Sequence, residues 1–239
     1  MEEGEKRCWE CQNQIESAAL WCSSCGALQP CSDDPFRCFD LDDRLHIDLE
    51  LLRSRFHALS RQFHPDFFQQ KSPQAQAISL ENSAKLNAAY RTLKDSVSRA
   101  TYLVRLVAGE KEVKPIPSSE LFAEILDLEE ALEAVESDAA DPTARATLIA
   151  ARERFRARLE TVQVEMAALF TEWDTLLLDR SRHWTVAQRE CIARLRQTLS
   201  HRGYLDRMLQ KITQVVGEET ESDFRKESVT PHRLNPLHE

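Results

Sequence analysis

The apolar residues Leu49, Leu52, Phe56, Leu59 and Phe63 follow one another at alternating steps of three and four, and the run stops just short of a proline, Pro65. That spacing places them on one face of an α-helix. Proline fixes its own φ and pushes the preceding residue out of helical conformation, so the helix must end before Pro65. Beyond a polar stretch from Gln69 to Gln76, a second set with helical spacing, Leu86, Tyr90, Leu93, Val97 and Ala100, is read as one further helix. Two amphipathic helices bury their stripes most economically as an antiparallel hairpin. The tripeptide His64-Pro65-Asp66 then sits at its tip.

Downstream, Leu121, Ile125, Leu128, Leu132 and Val135 form another helical stripe. Asp141-Pro142 supplies an N-cap and a first-turn proline for a helix continuing through Phe155, Leu159 and Val162. Thr185-Val186-Ala187-Gln188 has the spacing of a capping box that opens a third. Short links between these helices predict a three-helix bundle. With 42% hydrophobic residues, only 5 glycines and no long alternation of Val, Ile and Thr, the expected fold class is all-α.

The N-terminal region reads differently. Cys8, Cys11, Cys22 and Cys25 form C-x2-C-x10-C-x2-C, a spacing that lets two tight knuckles present four thiolates at the corners of a tetrahedron. The predicted occupant is a structural Zn2+, with iron the less favoured choice. About thirty residues hold too little apolar surface to fold unaided, so the metal is expected to supply most of the folding free energy of this head. Four thiolates saturate zinc and leave no place for an activated water, which argues against a metal-dependent hydrolase. Cys31, Cys38 and Cys191 are read as packed thiols.

These features divide the chain into a zinc-binding head (1–33), a helical segment around His64-Pro65-Asp66 (34–110), a linker (111–117) containing Pro115 and Pro117, a helical bundle (118–216) and a polar tail (217–239) expected to be disordered. The formal charge of −9 speaks against a general nucleic-acid binder. Between Ser118 and Asp138 there are eight acidic residues and no Lys or Arg, a concentration that marks a particular surface. On the first helix, Arg53, His57 and Arg61 recur at steps of four away from the apolar stripe, a line suited to an acidic partner. No segment approaches the ~20 apolar residues that span a bilayer, so no membrane association is expected. With neither a signal core nor a basic leader before Arg7, the expected setting is a bacterial cytoplasm, or the mitochondrial matrix for a eukaryotic chain.

Around the tripeptide the sequence runs Arg61-Gln62-Phe63 before it and Phe67-Phe68 after it. Further on come Leu86-Asn87-Ala88-Ala89-Tyr90-Arg91-Thr92-Leu93 and then Ser98-Arg99-Ala100-Thr101-Tyr102-Leu103. This ordered series resembles the J-domain family, and within it the HscB branch, over roughly residues 34 to 216. The four-cysteine head looks like the extension on that branch's zinc-bearing members. The resemblance implies a J-domain at 34–110 and a scaffold-binding bundle. It further implies a co-chaperone, not itself an enzyme, that stimulates a DnaK- or HscA-type ATPase and delivers an IscU-type iron–sulfur scaffold to it. Carried over residue by residue, His64, Pro65 and Asp66 contact the ATPase; the line of Arg53, His57 and Arg61, read from its spacing and its place beside the loop, is assigned to the same partner. Phe122, Ala123, Leu126, Asp127 and Glu130, with Tyr204 on the last helix, form the scaffold patch. Ala123 stands where the family pattern has a larger apolar residue, and Ala134 where it has an acid.

The residues themselves leave alternatives. Phe122 and Leu126 lie one step off the apolar stripe and belong either to an exposed patch beside carboxylates or to a wider core. The competing function is a general J-protein that holds unfolded clients. A zinc-ribbon adaptor for nucleic acid would use Trp9 and Trp21 to stack on bases, but those rings more readily cover the metal site. An enzyme built on His64 and Asp66 would need a nucleophile or a phosphate-cradling glycine loop, and neither accompanies them.

Overall fold

Aspartate or serine caps open five of the seven described helices, and in three of them a proline follows directly. The computed structural model describes residues 6–109, 119–137, 141–177 and 184–217, and among them seven α-helices and one two-stranded sheet. The sheet pairs β1 (Lys6–Arg7) antiparallel with β2 (Gln14–Ile15), Lys6 opposite Ile15. A short helix α1 (Pro35–Cys38) follows, capped by Asp34 with proline at its first position. In α2 (Leu49–Phe63) the Asp48 carboxylate accepts from Glu50 N at 2.9 Å and Leu51 N at 3.0 Å. A single 3-10 turn, Pro65–Phe68, leads to α3 (Pro73–Lys94), whose cap is Ser72.

The expected single helix through Leu86 and Ala100 is in fact two. Asp95 adopts extended backbone (φ −94, ψ 123) and its carboxylate accepts from Ser98 N at 2.8 Å, ending α3 and opening α4 (Ser96–Ala108). α4 stops at Gly109, whose φ of 67 is the left-handed value that glycine adopts without strain. A second departure concerns Leu49, which is 51% exposed: the buried face of α2 is carried by Leu52 and Phe63, with Phe56 and Leu59 packed against it. The linker at 111–117 and the tail beyond Gly217 lie outside the described residues.

The chain divides into two compact units, Met1–Pro115 with Gln163–Ser200 and Ile116–Val162 with His201–Glu239. Helices α6 (Pro142–Leu176) and α7 (Val186–Val216) each contribute one stretch to each unit. In the first unit, Phe36, Phe39, Leu52, Phe63, Leu86 and Leu93 form the centre of a core that also takes in Leu28 and Cys31 from the head. Trp173 is fully buried and its indole N–H donates to Asp43 O at 2.8 Å, while the Asp174 carboxylate accepts from Leu45 N and His46 N at 2.7 and 2.9 Å. The predicted capping box is present, Thr185 N donating to Gln188 Oε1 and Gln188 N to Thr185 Oγ1.

In the second unit α5 (Ser119–Ser137) buries Leu128, Leu132 and Val135, α6 buries Leu148 and Phe155, and α7 buries Leu205 and Ile212. Asp141 caps α6, accepting from Thr143 N at 2.8 Å. Arg145 and Arg152 donate to the carbonyls of Val216 and Gly217, both at 3.0 Å, and close the C-terminal end of α7.

Candidate functional site

His64 terminates α2 with φ −59 and ψ 125, the conformation that a following proline imposes. The chain is held on both sides of the tripeptide, because Phe63 is fully buried before it and Phe68 nearly so after it. From α3, the hydroxyls of Ser79 and Ser83 donate to Phe63 O at 2.6 and 3.1 Å, so the last carbonyl before the turn is satisfied by the neighbouring helix. Gln69 Nε2 donates to Asp66 Oδ1 at 3.3 Å.

His64 and Asp66 themselves are exposed. Asp66 N donates to His64 Nδ1 at 3.3 Å, and Asp66 Oδ2 lies 3.4 Å from the same nitrogen. The first contact needs Nδ1 unprotonated and the second is attractive when it carries a proton. The imidazole therefore has a partner beside it in either state. Phe67 is 68% exposed and meets the His64 ring edge-on, centroids 6.3 Å apart. Arg53, His57 and Arg61 all face solvent on α2, one turn apart, with Arg61 next to the tripeptide.

The second predicted set lies in the other unit. Leu126 is 53% exposed, and Asp127 and Glu130 face solvent beside it. Phe122 and Ala123 lie in α5, and their side chains fall outside the described residues. Tyr204 is half-buried on α7 with the Arg207 guanidinium 5.6 Å from its ring centroid; burial, and after it the charge of Glu129, raises its hydroxyl pKa. Two acids of the α5 surface are engaged within the unit, Glu124 by Arg154 and Arg158 and Glu129 by Lys211 at 3.2 Å. Asp127 and Glu130 are left facing outward.

The four cysteines of the head converge, their sulfurs all within 4.8 Å of one another. Cys8 Sγ is 3.7 Å from Cys25 Sγ and Cys11 Sγ is 3.6 Å from Cys22 Sγ. A tetrahedral ion with metal–sulfur bonds of about 2.3 Å needs sulfurs about 3.8 Å apart, so the donor set fits a four-thiolate metal centre. Two matching knuckles produce it: Gln12 N donates to Cys8 O and Gly26 N to Cys22 O, and both turns pass through positive φ, 61 at Gln12 and 73 at Gly26. Burial pushes the Cys8 thiol up, but backbone amides at Cys11 and Glu10 together with hydrogen bonds from the Cys22 and Cys25 thiols outweigh it and bring it down to about 6. At Cys25 an amide at Ala27 pulls down, while burial and the neighbouring thiols push up to about 12. A divalent cation would resolve this unequal sharing of protons by taking all four as thiolates.

Several residues that position these groups carried no recognised signal. Gln29 is buried and donates through Nε2 to Cys8 Sγ at 3.3 Å. Asn82, also buried, accepts from Cys31 N and donates to Gln29 O, both at 2.9 Å. Ser79, Asn82, Ser83 and Leu86 share one face of α3, so small polar residues at core positions were the available clue. The two tryptophans of the head also reach the hairpin, and line a cavity together with Cys25. Trp9 packs on the hairpin core and donates to Leu28 O at 2.7 Å; Trp21 stacks on Phe68, centroids 6.3 Å apart, and donates to Gln62 Oε1 at 3.4 Å. Between them a cavity of about 630 Å³ opens, lined also by Arg61, Phe67 and Lys71.

No family model matches the chain. It is 32% identical over 156 residues to the iron-sulfur cluster co-chaperone protein HscB of Mus musculus, covering 62% of this chain and 67% of that protein. It is 34% identical over 139 residues to the HscB homolog of Arabidopsis thaliana, covering 57% of this chain and 53% of the relative. The matched stretch thus spans about half to two thirds of these relatives. The crystal structure of human co-chaperone protein HscB superposes with a TM-score of 0.59 over 87% of this chain and 98% of that one, at 22% identity, and so shares the fold.

Proposed function

Because the chain belongs to the HscB family of iron–sulfur cluster co-chaperones, we propose that it stimulates the ATPase of a DnaK- or HscA-type chaperone and delivers an IscU-type scaffold protein to it. The observation that carries this reading is the His64-Pro65-Asp66 turn, two exposed polar side chains on a backbone fixed by Phe63, Phe68, Ser79 and Ser83. A preorganised turn loses little conformational entropy on docking. Arg53, His57 and Arg61 extend its charge along α2 toward an acidic face of the ATPase, an attraction that weakens as salt rises.

The scaffold patch is assigned to Phe122, Ala123, Leu126, Asp127 and Glu130, with Tyr204. Exposed Leu126 flanked by outward carboxylates supports it, since an apolar anchor in a charged rim is what a specific interface requires. Cys8, Cys11, Cys22 and Cys25 would hold the metal, for which zinc is proposed, in a structural role. Among the described residues no helix is long and apolar enough to cross a membrane. A reducing compartment, bacterial cytoplasm or mitochondrial matrix, suits seven cysteines none of which is in a disulfide.

The test is steady-state ATP turnover by the chaperone, with and without the scaffold. His64→Gln is expected to abolish stimulation while leaving scaffold capture intact, and stimulation that survives it would remove the loop's assigned role. Leu126→Ala with Phe122→Ala is expected to lose scaffold capture. If denatured client proteins are bound as well as the scaffold, a general client-holding J-protein is the better description.

A further inference from the structure

Two cysteines outside the metal group lie side by side. Cys31 Sγ and Cys38 Sγ are 3.6 Å apart, and each residue is 4% exposed. Cys31 belongs to the segment leaving the head, and Cys38 is the last residue of α1. Both are fixed by their backbones: Cys31 N donates to Asn82 Oδ1 at 2.9 Å and Cys38 N to Asp34 O at 2.8 Å. The sulfurs need to close from this contact to a bonded separation of about 2.05 Å, a shift within reach of side-chain rotation.

Access comes from the Cys38 side, where a cavity of about 340 Å³ is lined by Cys38, Leu20, Phe39, Leu59, Arg37 and Arg55. A small polar oxidant fits such a space; Cys31 does not line it, but its sulfur lies 3.6 Å from that of Cys38, which does. The hydrogen bond with Cys38, against the opposing effect of burial and with help from the Lys85 ammonium, holds the Cys31 thiol below its ordinary pKa. Cys31 is thus the better nucleophile of the pair. Neither residue belongs to the metal group or the docking turn.

We propose that Cys31 and Cys38 are a redox-active dithiol that a hydroperoxide converts to a disulfide, a modification site tying the exit of the head to α1. The Cys31 thiolate attacks the peroxide oxygen, the O–O bond breaks, and the departing oxygen takes up a proton, leaving a sulfenic acid on Cys31. The Cys38 sulfur then attacks the Cys31 sulfur; the S–S bond forms and the hydroxyl leaves as water with the Cys38 proton. The peroxide gains two electrons and the dithiol loses two. A dithiol reductant returns both electrons and both protons by exchange through a mixed disulfide.

The experiment uses the full metal-loaded chain, exposed to hydrogen peroxide, blocked with N-ethylmaleimide and digested with trypsin and chymotrypsin. Cleavage after Leu28 and Arg37 separates Cys31 from the head cysteines and from Cys38. The expected product is the Cys31 peptide linked to the Cys38 peptide, formed while the metal stays bound, reversed by dithiothreitol and accompanied by a rise in the thermal midpoint. In Cys38→Ser, dimedone is expected to trap a sulfenic acid on Cys31. A Cys38 peptide that is still alkylated after peroxide, one linked to a head cysteine, or metal release ahead of any Cys31–Cys38 link would each overturn the proposal.

Discussion

In the hairpin, the atoms around His64 are positioned by Phe63, Phe68, Leu52, Leu86 and Leu93, a buried cluster spanning three elements, with serine hydroxyls completing the backbone hydrogen bonds. In the head, the buried cluster around the thiols is Cys8, Ile15 and Cys22, with Cys11, Ala19 and Ala27 partly buried against it. One region is shaped by apolar packing, the other by the convergence of four thiols in a cluster too small to pack alone. The difference teaches where each is vulnerable: the hairpin to loss of volume, the head to loss of charge balance at sulfur.

Metal removal gives the largest expected effect. Structural zinc contributes roughly 10–16 kcal/mol in small four-ligand domains. Chelation, or Cys22→Ser, is expected to abolish metal binding and disorder residues 6–27, while the far-ultraviolet helical signal is retained; collapse of that signal would break the distinction between the regions. Phe63→Ala comes next, at about 3–5 kcal/mol by urea unfolding, with metal stoichiometry unchanged.

Asp43 offers a pH test that bears on the hairpin unit alone. Burial first, then Asp34, raises its carboxyl from 3.8 to about 6. A carboxyl whose pKa rises on folding gives its full contribution in acid and loses it as pH climbs through about 6. Asp43→Asn is therefore expected to be the more stable form above that value, by about 1–2 kcal/mol after allowance for partial exposure, with the gap closing in acid. Unfolding at several pH values reads it. Ser79→Ala, with Ser83 still bonded to Phe63 O, is expected to cost about 1 kcal/mol. Arg61→Ala should change stability by less than about 0.5 kcal/mol, but flatten the salt dependence of chaperone binding.

Features governed by neighbouring residues were legible in the sequence. Pro65 ends α2, Asp141 caps α6, Thr185 and Gln188 form their box, and paired C-x2-C spacing predicted the convergence of four sulfurs. The break at Asp95 escaped because Leu93, Val97 and Ala100 keep helical spacing across it, so the apolar period outweighed the N-cap signal in Asp95-Ser96-Val97-Ser98. Contacts between distant segments left no local trace. Trp21 meeting Phe68, Ser79 reaching Phe63 O and Cys31 meeting Cys38 each require the tertiary fold to be known first. Leu49 has the right spacing and yet is exposed, as is Leu51 in the same first turn of α2, so spacing alone does not say which end of a stripe is covered.

Asn82 has a consequence for the life of the metal centre. Its amide grips Gln29 O and Cys31 N, the two backbone groups flanking Pro30, from a helix that carries none of the four clustered cysteines. A head without a bound ion would therefore stay moored at its C-terminal end, with Cys25 and Cys22 only a few residues from the anchor. Metal loading would then close a short tethered loop, with the knuckle nearer the anchor expected to form first.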